Sequence, residues 1–349
     1  MRGRLRYLDP TRGLFILLMI SSHAIGLADV ASTSVLQSIW WLPRCWSTAG
    51  FVMLAGFSVG VLTSRARAVQ PGAIMRRAWH LVIVMFASNA IMAACRELVR
   101  GNAATFRDWS WLADVIMLQR DMTISGALLP IAVGLVIVAG LLAVSQRIRP
   151  AILALVLLTL NAGAWIVQGV LVANAPPPAG SHEWMRVWLF SFPLLPLACS
   201  AATGFAFGLV WRSLADRIQI DSSLAGPVAM LFLLATAPLT LLAPRPIFLT
   251  LNGAIQFGII LVLAVSLAAL EPLTLVTELL ALLGRFSLMV FILHRPMLHA
   301  AEVSSRALHL SPEARYALML VAGVGGCATL CLARKESAAL DRLMKRVLL

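Results

Sequence analysis

Gly13-Leu-Phe-Ile-Leu-Leu-Met-Ile-Ser-Ser-His-Ala-Ile-Gly-Leu-Ala-Asp-Val30 is an apolar run of bilayer length that carries Ser21, Ser22 and His23 in its interior. An α-helix rises about 1.5 Å per residue, so roughly 20 such residues cross the ~30 Å hydrocarbon layer. Arg2, Arg4, Arg6 and Arg12 precede the run in the manner of a signal peptide. Its Ser-Ser-His interior is too polar for a signal's hydrophobic region, and it reads as a retained first transmembrane helix.

Working outward, similar runs recur near residues 46–63, 78–95, 123–144, 150–173, 187–211, 223–243, 247–270, 286–304 and 314–333. They are long and continuous rather than short alternating segments, which points to helices and not to a barrel. The chain is therefore expected to be all-α, a polytopic membrane protein with about ten transmembrane helices. Composition agrees: 60% of the 349 residues are apolar and 12% charged. A soluble protein carries roughly 25% charged residues, so a soluble globular enzyme is excluded. No internal repeat is evident, and the only low-complexity stretch is Asn174-Ala-Pro-Pro-Pro178, so residues 1–349 read as a single membrane domain. The longest external connection, 96–122, contains Trp109-Ser-Trp-Leu-Ala-Asp-Val-Ile-Met-Leu118, which reads as an interfacial or re-entrant helix. Gly56-x3-Gly60 and Gly204-x3-Gly208 suit close helix packing.

The formal charge is +13, from 28 Lys+Arg against 15 Asp+Glu. These charges sit between the apolar spans, with no basic cluster interleaved with aromatics, so no nucleic-acid partner is expected. With the N-terminus inside, 18 of the 28 Lys+Arg fall in cytoplasmic segments and ten outside. That split supports both termini inside and an even number of spans. Five cysteines, Cys45, Cys95, Cys199, Cys327 and Cys331, form no CxxC pair. Cys327 and Cys331 share a helix face without an accompanying histidine, so no metal site is expected. Cys45 and Cys95 both fall near the outer surface, and their pairing stays open.

Ionisable side chains inside spans are costly and are candidates for chemistry. His23 lies eleven residues beyond Arg12, about 16 Å along the helix and near mid-bilayer. A neutral imidazole there can take a proton from a hydroxyl nucleophile; a histidine hydrogen-bonded to a neighbouring helix for packing is the plainer reading. His294 follows Arg285 by nine residues and reaches a similar depth if its helix also starts inside, or else sits at an outer helix end satisfied by water. His299 and His309 read as external. Arg6, Arg12, Arg76 and Arg77 crowd the inner ends of the first and third spans, where planar guanidinium donors suit phosphate groups such as those of acyl-coenzyme A. Positive-inside topology alone also places arginines there. Asp9 can pair with Arg12 or Arg76, or cap the first helix. Trp40, Trp41, Trp109 and Trp111 fall at the external boundary, where they form an aromatic belt or stack on the sugar rings of a carbohydrate acceptor.

These segments resemble the acyltransferase 3 superfamily of integral membrane acyltransferases. Arg6-Tyr-Leu-Asp-Pro-Thr-Arg-Gly-Leu14 followed by His23 is similar to that family's opening motif, and Phe51-Val-Met-Leu-Ala-Gly-Phe57 to its second-helix motif, with Ala55 where serine is usual. Arg76-Arg77 resembles its basic pair, and Leu283 to Pro296 its late glycine, serine and histidine-x-proline motif, with Leu288 where tyrosine is usual. Phe51 to Gly60, Ser287-Leu288-x2-Phe291 and Leu128-Leu129-Pro130 look more like the OpgC-like branch, which resembles enzymes that succinylate periplasmic glucans. The resemblance implies ten helices, a cytoplasmic acyl-CoA donor, no permanently bound cofactor, and an acceptor hydroxyl of a glycan or polysaccharide presented on the periplasmic side. His23, Asp9 and His294 are then the expected catalytic residues. Arg6, Arg12, Arg76 and Arg77 are expected to hold the donor, and Trp40, Trp41, Trp109 and Trp111 the acceptor. Two other readings stand beside this one: a transporter or flippase for a lipid-linked glycan, and a non-catalytic partner that presents substrate to another enzyme.

Overall fold

The computed structural model describes residues 8–30, 46–63, 69–99, 110–116, 125–174, 194–215 and 274–348. In chain order its helices are α1 (Leu8–Leu27), α2 (Trp46–Thr63), α3 (Pro71–Val99), α4 (Ser110–Ile116), α5 (Ser125–Ser145) and α6 (Pro150–Asn174). They continue with α7 (Leu194–Ala215), α8 (Thr274–Arg285), α9 (Ser287–Ala307), α10 (Pro312–Glu336) and α11 (Ala338–Leu348). Among the described residues there is no strand. Lipid offers no hydrogen-bond partners, so the backbone satisfies itself within each helix.

Six of these helices are long and apolar enough to cross a bilayer, and α8 with α9 makes a seventh if the bent pair counts as one span. The chain is an all-α, multi-pass membrane protein. The expected spans at 223–243 and 247–270 lie outside the described residues. Apolar residues that would be a liability in water, such as Ile152, Leu155, Leu160, Ile166 and Val170 along α6, stand exposed, as lipid-facing side chains do. The short helix expected after Trp109 is present as α4.

The chain divides into two compact units. In the first, α1 packs on α8, α9 and α10, and α9 packs on α10. The α1–α8 crossing is backbone against backbone: a side chain on Gly13 would strike the carbonyl oxygen of Leu280, and one on Gly284 the carbonyl oxygen of Asp9. Small residues allow this approach, which dispersion then stabilises. At Phe286 the chain turns by 94° between α8 and α9. The Arg334 guanidinium covers the Phe286 ring at 4.7 Å, and its Nε is 3.1 Å from Asp341 Oδ1 on α11. A break of one residue is thus held by a stacked cation that α11 orients.

Ser311 starts α10 by accepting from the Ala314 backbone N–H at 3.3 Å, with Pro312 just inside. Deep in the unit, Ser21 Oγ and Tyr316 Oη lie 2.8 Å apart and tie α1 to α10. Tyr316→Phe should lower stability by about 0.5–1.5 kcal/mol by leaving the Ser21 hydroxyl without that partner. Thermal unfolding of the two purified proteins in one detergent checks this; an unchanged Tm contradicts it.

In the second unit, α3 packs on α4 and α5, and α7 packs on α5 and α6. The two glycine pairs noted in the sequence face each other across α2 and α7. Gly56 and Gly60 meet the backbone of Ala201 and Phe205, while Gly204 and Gly208 meet that of Met53 and Phe57. Thr203 Oγ1 donates to the Leu157 carbonyl at 3.2 Å, and Ser200 Oγ lies 3.4 Å from Asn161 Oδ1, so α6 and α7 are joined by buried polar contacts.

Candidate active site

Helix α1 begins at Leu8, five residues before the run that sequence alone marks out. His23 is the sixteenth of the 20 residues of α1. The earlier start also brings Asp9 and Arg12 into the first turns of α1. Asp9 is buried, and its Oδ1 lies 3.4 Å from Arg12 Nη1. Of the three alternatives open for Asp9, the structure shows the pair with Arg12.

His294 comes from α9, one turn after Val290. Its Nδ1 is 3.1 Å from the Val290 carbonyl oxygen, and Phe291 stands edge-on to it at 5.9 Å. The residue is 1% exposed. Its Nε2 is buried and has no hydrogen-bond partner among the described residues. Two residues on, Pro296 lacks an N–H, so the carbonyl of Ile292 loses the helical donor it would otherwise accept from.

The two histidines meet. Their ring centroids are 5.4 Å apart and their planes differ by 16°, a stacked pair contributed by helices that are 271 residues apart in sequence (294 minus 23). Arg295 closes the group, with Nη2 at 3.4 Å from His23 Nε2. Sequence reasoning missed this arginine by counting it among external charges. Its position beside His294 inside an apolar run was the signal, because an arginine there is as costly as a histidine.

One turn further along α9, His299 Nδ1 is 3.0 Å from Glu302 Oε2, and Glu302 in turn holds Arg306 at 2.9 Å. Arg306 and Arg315 converge on Asp29 at 3.4 and 3.5 Å. A band of charge thus covers the end of α1 beyond His23. His299 stands beside this band, although in sequence it reads as an ordinary external histidine.

Arg76 and Arg77 lie in the first two turns of α3, in the other unit, and both are exposed. Trp111 lies on α4 and is half-buried. Arg6, Trp40, Trp41, Trp109 and Cys45 lie outside the described residues. Cys327 and Cys331 are buried thiols, and Cys327 Sγ touches Met297 Sδ at 3.6 Å. Among the described residues no three His, Cys, Asp or Glu side chains group as metal ligands do.

Chemically, the cluster offers two imidazoles and a guanidinium within a span. One ring nitrogen is available to accept, and several N–H groups are available to donate. Such a set can take a proton from a hydroxyl and stabilise a developing oxyanion, the two demands of acyl transfer.

Residues 5–333 match a protein family described as an acyltransferase domain. No curated protein matches the chain, and no solved structure does. The family match takes in every helix from α1 through most of α10, both histidines and both glycine crossings. The chain therefore belongs to the acyltransferase 3 family, and it is an enzyme of the membrane, a multi-pass acyltransferase.

Proposed function

We propose that this acyltransferase sits in a bacterial inner membrane with both termini cytoplasmic. There it moves a small acyl group, acetyl or succinyl, from cytoplasmic acyl-CoA to a hydroxyl of an extracytoplasmic glycan. The observation that carries this reading is the stacked His23–His294 pair inside the membrane span, in a chain that belongs to an acyltransferase family. The pair supplies the general base. No group other than the donor substrate needs to be bound.

Arg12, oriented by Asp9, is one donor-binding residue of this reading, and Arg76 and Arg77 hold the phosphate-bearing end of the donor. Charged hydrogen bonds to phosphate contribute about 1.5–3 kcal/mol each. Arg76→Ala combined with Arg77→Ala should therefore raise the Kd for coenzyme A by about a hundredfold or more, measured by calorimetry on the purified protein. Unchanged affinity would leave those two arginines to topology alone. Ser287→Ala is a poor test of this site, since nothing among the described residues ties Ser287 to the histidines.

The test of the whole reading uses the purified protein in liposomes with acetyl-CoA or succinyl-CoA and envelope glycan. Free coenzyme A thiol should appear in step with ester on the glycan. Glycan movement across the bilayer with no thioester consumed would replace this reading with the transport one.

A further inference from the structure

The hydrogen bonds around the histidine pair fix where its protons are. A guanidinium has only donors, so the Arg295 contact makes His23 Nε2 an acceptor and leaves the ring proton on Nδ1, the nitrogen away from Arg295. A carbonyl only accepts, so His294 carries its proton on Nδ1, facing Val290, and its lone pair on Nε2. That nitrogen is buried and is among the polar atoms with no hydrogen-bond partner among the described residues. A buried acceptor left unmatched destabilises the fold, and its retention here is explained by a donor that arrives with substrate.

From this placement we infer that the two histidines divide the chemistry: His294 Nε2 takes the proton of the acceptor hydroxyl, and His23, held by Arg295, turns its Nδ1–H to the thioester carbonyl oxygen. The inference rests on the acyl-transfer reading above. It moves the role of base, which depth along the first helix suggests for His23, onto His294. Arg295 is a positioning residue that acts through His23.

In the step itself, the hydroxyl oxygen bonds to the thioester carbon as its O–H proton passes to His294 Nε2. The carbonyl oxygen, carrying the developing negative charge, is met by His23 Nδ1–H. The C–S bond then breaks with its electron pair on sulfur. The proton returns from His294 Nε2 to that sulfur, giving an ester and a free thiol, so no proton is gained or lost.

Two measurements test the assignment. The first needs no substrate: nitrogen NMR of full-length protein labelled with 15N-histidine in lipid bilayers. The two signals are identified by their loss in His23→Asn and His294→Asn. The unprotonated nitrogen of each ring should be Nε2; a proton on His294 Nε2 overturns the inference even if acyl transfer stands.

The second follows transfer from acetyl-CoA and succinyl-CoA to envelope glycan. Asparagine at 23 keeps an N–H near the Nδ1 position, so His23→Asn should lose less activity than His23→Ala, which falls about 100- to 1,000-fold as removal of an oxyanion donor does, and both should keep the acid limb of the kcat/KM pH profile. His294→Asn should lose about 100- to 10,000-fold together with that limb. Arg295→Gln should lower kcat at unchanged donor KM, with part recovered in Arg295→Lys. The reverse pattern, an active His294→Asn and an inactive His23→Asn, assigns the base to His23 and overturns the inference. A wild-type protein that consumes neither thioester defeats the acyl-transfer reading instead, and the NMR result still decides the proton positions.

Discussion

Gly13→Val and Gly284→Val should each prevent recovery of folded protein. A methyl group on Gly13 would lie 2.6 Å from the carbonyl carbon of Leu280, and one on Gly284 would lie 2.7 Å from that of Asp9. Both obstacles are main chain within packed helices, so no rotamer change relieves them. Overpacking costs typically 1–3 kcal/mol where side chains can give way, and about 3 kcal/mol or more is expected here, a large part of a marginal folding free energy.

The damage would extend to the site, because the Gly284 contact fixes the backbone of Asp9 and with it the pair to Arg12. Gly163→Ala on α6 is the control. Nothing lies within 4 Å of the position a side chain would take there, and alanine favours a helix over glycine by up to about 1 kcal/mol. Monodisperse yield on size exclusion and Tm in one detergent check the set. A Gly13→Val protein recovered in full with an unchanged Tm contradicts the crossing described here.

The second large effect is on rate. His294→Ala should lower kcat by about 100- to 10,000-fold, some 3 to 5 kcal/mol in the barrier, with donor affinity nearly unchanged because the proposal assigns the donor phosphates to arginines and not to His294. His23→Ala should also fall by orders of magnitude. The double variant should lose little more than the worse single one, since the stacked rings act on one transition state and groups that act as a unit are not additive. Ester formed per enzyme at saturating acyl-CoA measures all three. Losses that multiply independently would mean the rings serve separate steps.

Much of this was legible in the sequence. Spans such as 46–63 and 150–173 coincide with α2 and α6 to within a residue, because lipid imposes one continuous apolar pattern on a crossing helix. The small-residue pairs at Gly56, Gly60, Gly204 and Gly208 announced close packing, although spacing along one chain did not reveal that they pack on one another.

What sequence missed has local causes. The bend at Phe286 occupies a single residue in an apolar stretch, which hydropathy averages away. α11 read only as a basic tail, since its charges were counted for topology and its Leu340, Leu343 and Met344 were not weighed as one face. His23 and His294 stood out because an ionisable group in an apolar run is expensive. Arg295 was hidden one position further, on the presumed outer side, and only the three-dimensional contact with His23 shows its place. The pair of Asp9 with Arg12 was foreseeable from their i, i+3 spacing on a helix, once the helix was known to begin before Gly13.

The most direct measurement is mass spectrometry of base-labile acyl groups on envelope glycans. The cells would carry no copy of the gene, the wild-type copy, or a His23→Ala, His294→Ala copy at equal expression. The account predicts an acetyl- or succinyl-sized mass increment on the glycan that only the wild-type copy restores. Identical glycans in all three strains, or an increment restored by the double variant, would contradict it.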